Sequence, residues 1–143
     1  MSVTIAIGSD HAGFDQKKIL ISFLREKGYA VHDFGTYSTD SVDYPDIAHQ
    51  VADSIQKKEY DVGVLLCGSG NGVAITANRH PGIRAALCWN EAIARLAKKH
   101  TNANILCFPA RFVSVDDMKQ MIGAFLSEVF EHGRHEKRIE KIE

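Results

Sequence analysis

The sequence lacks the features that mark small secreted, nucleic-acid-binding and membrane proteins. Its 143 residues hold only three cysteines, Cys67, Cys88 and Cys107, with no C-x-x-C pair. An odd set without such pairing excludes a disulfide framework and points to reduced thiols in the cytoplasm. Seventeen basic and eighteen acidic side chains leave a net charge of -1. No charge excess draws such a chain to nucleic acid or an anionic membrane, so neither is an expected partner. No apolar run approaches the ~18 residues of a membrane span. The opening "MSVTIAIGSDH" has neither the basic stretch nor the long apolar core of a signal peptide. Internal repeats, low-complexity tracts and linkers are missing too, so residues 1–143 read as one domain. A domain of this length buries roughly 68–70% of its unfolded surface and needs no cross-link or metal to stay folded.

What is present is an alternation of two periodicities. Strand candidates are "VTIAIG" (3–8), "YAVHDF" (29–34), "DVGVLLC" (61–67), "IRAALCW" (83–89) and "ANILCF" (103–108). Between them, "DQKKILISFLREKG" carries Ile19, Leu20, Phe23 and Leu24 at helical spacing, with Gly28 as the stop. Pro45 suits the start of a helix through "DIAHQVADSIQKK". Further helices are predicted over "NGVAITANRH", "NEAIARLAKKH" and "SVDDMKQMIGAFLSEVF", the last with Ser114 as N-cap. The charged tail "EHGRHEKRIEKIE" reads as helical. Strands of near-continuous apolar character, each followed by a helix, imply a parallel sheet covered on both faces. The expected fold is α/β: a three-layer αβα, Rossmann-like domain with a five-stranded parallel sheet and a C-terminal helical tail.

In such a sheet, ligands sit at the carboxyl ends of the strands. Four short stretches fall there: Gly8 to His11, Cys67 to Gly72, Trp89-Asn90, and Pro109 to Arg111. The second is the most specific. Gly68, Gly70 and Gly72 leave backbone N–H groups open to a ligand that must come close, and a helix start favours an anion. The loop is neither a Walker sequence, for want of a Lys-Ser/Thr, nor the dinucleotide fingerprint of a first βα unit. It is an anion or oxyanion cradle or else a bare tight turn. Cys67 touches it, whereas Cys88 and Cys107 lie inside apolar runs and read as core. Asp10 and His11 offer an acid/base pair or a helix cap. His100 is either a base or a partner of its helix's C-terminal dipole. Arg134 and Arg138, four residues apart on one helix face, suit a phosphate or form a solvated charged face. His132 and His135 lack a nearby third ligand, so no metal site is expected.

Taken together, "IGSDHAGF" (7–14), "DFGTYS" with "VDYPD" (33–46), "CGSGNG" (67–72), "NILCF" after His100 and "GRHEKR" (133–138) carry a resemblance over the whole chain. The sequence resembles the sugar-phosphate isomerase family that includes ribose-5-phosphate isomerase B and galactose-6-phosphate isomerase. The resemblance implies cofactor-free interconversion of ribose 5-phosphate and ribulose 5-phosphate. It implies that Cys67 moves the proton between C1 and C2; a second branch uses a glutamate where this chain has Val73. It further implies that Gly68, Ser69, Gly70, Asn71 and Gly72 cradle the enediolate, and that Asp10 and His100 serve opening of the furanose ring. His11, Arg111, Arg134 and Arg138 become phosphate ligands, and Tyr44 lines the sugar pocket. The family builds its site between two subunits of a homodimer, so a homodimer or a dimer of dimers is expected.

Two departures stand out. Thr101 replaces a common asparagine, with Asn102 as a substitute contact, and "FPARF" replaces a glycine-containing turn around Arg111. A metal-assisted hydride shift would need a carboxylate cluster at the strand ends. The sequence shows none there, so proton transfer is the expected route. The alternatives are an isomerase of allose or galactose 6-phosphate, or a non-catalytic binder of phosphorylated sugars.

Overall fold

The computed structural model describes residues 3–143. Five parallel strands form one sheet in the order β2-β1-β3-β5-β4: β1 (Thr4–Ser9), β2 (Ala30–Asp33), β3 (Val62–Cys67), β4 (Ala85–Leu87) and β5 (Ile105–Pro109). The inner strands β1, β3 and β5 are apolar along their length, because they are covered on both faces. Their register pairs Ile7 with Val64 and Leu65 with Cys107. The edge strands β2 and β4 are shorter than the apolar runs at 29–34 and 83–89 suggested. Each pairs on one side only, so the ends of those runs have no ladder to join.

Six helices complete the three layers: α1 (Phe14–Glu26), α2 (Tyr44–Gln56), α3 (Asn71–Ala77), α4 (Glu91–Thr101), α5 (Val115–Ser127) and α6 (Arg134–Ile142). Leu20 and Leu24 of α1, Ala94 and Ala97 of α4, and Met118, Met121 and Phe125 of α5 pack against one sheet face. Ile47, Val51 and Ile55 of α2, with Val73 and Ala77 of α3, cover the other. Local chemistry sets the helix starts. Asn90 and Ser114 accept from the backbone N–H groups of Ile93 and Asp117 at 2.9 and 3.1 Å, which occupies donors the first turn leaves open. Pro45 stands in the first turn of α2, where its missing N–H costs nothing. Among the described residues, no helix is long and apolar enough to cross a membrane.

A fully buried lysine interrupts the apolar stripe of α1. Lys17 of α1 is fully buried, with its Nζ 2.5 Å from Asp33 Oδ1 and donating to the Thr36 carbonyl at 2.8 Å. Asp33 Oδ1 also accepts from Gly35 N–H at 2.8 Å. The pair thus ties α1 to the segment after β2. That segment is laced to the end of β1 by Ser9 N–H to Gly35 O and Thr36 N–H to Ser9 O, both 2.7 Å.

Parallel strands give the molecule a polarity. All strand carboxyl ends share one edge, and each helix that follows a strand runs back toward the other. α4 ends where β5 begins: Asn104, two residues beyond the Asn102 C-cap, accepts through its carbonyl from Gly63 N–H near the start of β3. Cys67 stands at the far end of that same strand, roughly 16 Å away at ~3.3 Å per residue.

Candidate active site

The carboxyl edge gathers most of the residues the sequence singled out. β1 and β3 are neighbours, and the chain leaves them toward opposite faces, so the switch point lies between their ends. There Asp10 N–H donates to the carbonyl of Leu66, the residue before Cys67, at 3.1 Å. Asp10 is buried, and its carboxylate accepts from Ala12 N–H at 2.9 Å, capping the one-turn 3-10 helix His11–Gly13. His11 does not pair with it. His11 Nδ1 instead accepts from Val42 N–H at 3.3 Å, which fixes the neutral tautomer with its proton on Nε2. That Nε2–H is a donor suited to a phosphate oxygen.

The loop after β3 is as tight as its glycines require. Gly70 has φ +76°, and a Cβ there would stand 2.4 Å from a Leu87 methyl and 3.1 Å from the backbone of Phe108 and Pro109. At Gly68 a Cβ would meet the Arg111 guanidinium at 3.2 Å, so Arg111 lies against the loop. The "PAR" turn holds it there, with Ala110 and Arg111 N–H groups donating to the Cys67 and Gly68 carbonyls at 2.9 and 3.1 Å. No glycine in that turn is needed. Tyr44, in the first turn of α2, covers Gly72. Ser69 and Asn71 are exposed, and the Ser69 hydroxyl accepts from Asn71 N–H at 3.3 Å.

All three thiols are buried, and Cys67 belongs to the apolar cluster on the α2–α3 face. Cys88 and Cys107 are fully enclosed. Burial pushes the Cys88 thiol up to about 12 and holds Cys107 well above the ordinary range. Cys67 is 4% exposed and closes the end of its strand beneath the loop. Val73 is buried beneath the same loop, against the α2–α3 face of the sheet.

One chain does not bring His100, Asn102, Arg134 and Arg138 to this edge. α4 runs against the strands, so His100 and the Asn102 cap lie at the amino edge, and α6 docks there beside them. Arg134 and Arg138 are exposed. Thr101 is not free for a ligand, since its hydroxyl donates to Ala97 O at 2.5 Å. The side chain of His100 is partly exposed and stacks on His135, with ring centroids 4.3 Å apart and planes 13° from parallel.

Glu131 was not singled out by sequence, and His135 was weighed only as half of a metal pair with His132. Glu131 Oε1 lies 3.3 Å from His135 Nε2 and 3.7 Å from His100 Nε2. Burial first, then the neighbouring His100 and Arg134, hold the His135 imidazole below its ordinary range. The hydrogen bond from Lys99 holds Glu131 below the usual carboxylate range. The expectation that His135 lacks further metal ligands is therefore corrected: His132 turns to Glu136, while His135 meets Glu131 and His100. Glu131 and His135 are four residues apart, but His100 lies on α4, so spacing within the tail could not show the three-residue meeting.

Comparison with known proteins gives one consistent result. The family described as Ribose/Galactose Isomerase matches residues 5–142. The ribose-5-phosphate isomerase B of Escherichia coli is 41% identical over 138 residues, covering 96% of this chain and 93% of the relative. The crystal structure of a ribose 5-phosphate isomerase from Thermotoga maritima is 51% identical with a TM-score of 0.97, covering 99% of this chain and 98% of that one. A ribose-5-phosphate isomerase B from Mycoplasma genitalium, with bound ribulose-5-phosphate, is 44% identical with a TM-score of 0.95, covering 99% and 95%.

Proposed function

The chain belongs to the ribose/galactose isomerase family, and from that premise we propose that it interconverts ribose 5-phosphate and ribulose 5-phosphate through an enediolate, with Cys67 as base. It is an aldose–ketose isomerase. The observation that carries the proposed base is the meeting of Asp10, the Cys67 to Gly72 loop and Arg111 at one switch point.

The reaction divides into ring opening and proton transfer. Asp10 and His100 of the partner subunit move protons at the anomeric hydroxyl and the ring oxygen, so the furanose opens to the aldehyde. The Cys67 thiolate then takes the C2 proton and electron density moves onto the C1 carbonyl oxygen; the C2 hydroxyl proton passes to that oxygen, and the Cys67 thiol returns its proton at C1, leaving the C2 ketone. Negative charge develops on oxygen in that step. Backbone donors of the Gly68 to Gly72 loop, with the Ser69 hydroxyl, face it, and one such donor contributes about 2.7–4 kcal/mol in comparable sites. Asn71 N–H donates to Ser69 Oγ at 3.3 Å, which holds the hydroxyl over the loop. His11 Nε2–H and Arg111, with Arg134 and Arg138 of the partner subunit, hold the phosphate. Tyr44, with Asn102 of the partner subunit, flanks the sugar.

The two-subunit site is supported by the fold's polarity, which keeps His100 away from Cys67 within a protomer. Exposed Ile75, Trp89 and Phe112, all on segments around the carboxyl edge, offer the apolar surface such a homodimer covers. Three unpaired cysteines suit a reducing compartment, and we place the enzyme in the cytoplasm.

The test is cofactor-free turnover of ribose 5-phosphate, allose 6-phosphate and galactose 6-phosphate by the native protein and Cys67→Ala. Ribose 5-phosphate is the preferred substrate, and Cys67→Ala loses at least about 100-fold in kcat, the scale of a general base. Near-native turnover by that variant removes Cys67 from the chemistry. Preference for a hexose phosphate overturns the pentose assignment.

A further inference from the structure

Away from the carboxyl edge, one cluster brings three metal-ligating side chains together. The ligand atoms of His100, Glu131 and His135 all lie within 4.8 Å of one another. The cluster is built rather than accidental. Glu131 N–H donates to Lys99 O at 3.0 Å, and Lys99 Nζ holds Glu131 Oε2 at 3.3 Å, which leaves Oε1 facing both rings. A carboxylate anchored through its second oxygen is a pre-oriented ligand. His135 supplies an independent sign. It is 5% exposed, and its buried Nε2 makes no hydrogen bond although it points at the cluster. Buried polar atoms are rarely left so, and each calls for a partner.

We propose that His100, Glu131 and His135 form a binding site for a borderline transition-metal dication, Zn²⁺ above all. Two imidazoles and one carboxylate, with a fourth position open, make a zinc ligand set, whereas Mg²⁺ and Ca²⁺ take oxygen ligands. Tetrahedral bonds of about 2.0–2.2 Å hold ligand atoms roughly 3.3–3.5 Å apart. The two distances from Glu131 Oε1, 3.3 and 3.7 Å, are already near that separation. Only the stacked imidazoles must turn toward each other, closing by at most about 1.5 Å.

A consequence follows that rests on the role given to His100 under the proposed function. A cation on His100 Nε2 occupies the electron pair that ring opening uses. The ion is thus an inhibitor of the isomerase and not its cofactor, and chelation preserves turnover.

The experiment titrates Co²⁺, then Zn²⁺, into full-length protein freed of metal by chelator dialysis. One equivalent of Co²⁺ per chain gives the visible absorption of a four-coordinate site, and Zn²⁺ displaces it. Glu131→Gln, at an exposed position, and His135→Gln both abolish the absorption, with circular dichroism confirming the fold. Cys67→Ser, which removes the loop thiol, and His80→Ala, which removes the imidazole 2.7 Å from that of His49, retain it. Absorption that survives both cluster variants, or disappears with Cys67→Ser or His80→Ala, overturns the site. Turnover of ribose 5-phosphate at each Zn²⁺ concentration separates the two readings. Occupancy with lost turnover supports both, and occupancy with full turnover upholds the site while removing His100 from ring opening.

Discussion

The phenol ring of Tyr44 lies directly over Gly72: a Cβ at residue 72 would stand 2.4 Å from two of its ring carbons and 2.9 Å from its hydroxyl oxygen. The ring is 38% exposed, so it can swing outward when pushed. Gly72→Ala therefore costs about 1 kcal/mol or less of stability, roughly 3 °C in Tm. It displaces the ring proposed to flank the sugar, and kcat/KM falls by about tenfold or more, a loss of at least ~1.4 kcal/mol. Steady-state kinetics on Gly72→Ala, Tyr44→Ala and the double variant check this. The three nearest atoms to that Cβ all belong to Tyr44, so the double variant is no worse than Tyr44→Ala.

Alkylation distinguishes the thiols. Cys88 and Cys107 are enclosed and held protonated by burial, whereas Cys67 borders the loop. Mass spectrometry of the native protein treated with iodoacetamide finds Cys67 modified first, and ribose 5-phosphate slows that reaction. Equal rates for all three thiols would reject the separation.

The buried thiols also set an alkaline limit. Cys88 is raised to about 12 in the folded chain against an ordinary value of 9.0. Its folded pKa lies above its unfolded one, so its contribution is complete below pH 9 and declines as pH rises toward 12. In that window the unfolded chain releases a proton that the folded chain keeps. The decline approaches 1.4 kcal/mol per pH unit. Urea titrations from pH 8 to 11 show native stability falling more steeply than that of Cys88→Ala.

The Lys17–Asp33 pair is unequal in its burial, with side chains 0% and 27% exposed. Removing Asp33 strands a buried ammonium, and Asp33→Ala costs about 3–5 kcal/mol. Lys17→Met leaves a carboxylate that still reaches water, and costs less. Chemical denaturation of both variants checks the order, and a larger loss for Lys17→Met would refute it.

Much of the fold was legible because inner strands and amphipathic helices carry strong periodic signals. All five strands and six helices lie where the sequence suggested, and the misjudged bounds concern edge strands, whose ends depend on neighbours. The carboxyl-edge residues Asp10, His11, Cys67 and Arg111 were found by one topological rule. Lys17 was missed, although a signal existed: Leu20, Ile21 and Leu24 follow it at i+3, i+4 and i+7, so it continues the buried stripe. Glu131 and His135 carried a local signal at i and i+4, but their meeting with His100 had none, since it joins segments about thirty residues apart through tertiary packing.

The run of α4 against the strands has a genetic consequence. In the proposed two-subunit site, each protomer lends its Cys67 to one reaction centre and its His100 to another. When Cys67→Ala and His100→Ala chains are unfolded and reassembled together, every mixed pair has one centre stripped of both groups and one with both intact. Random assortment makes about half the pairs mixed, which restores about a quarter of the native centres. Two null alleles would rescue each other in one cell, and a failure to do so would show that each chain works alone.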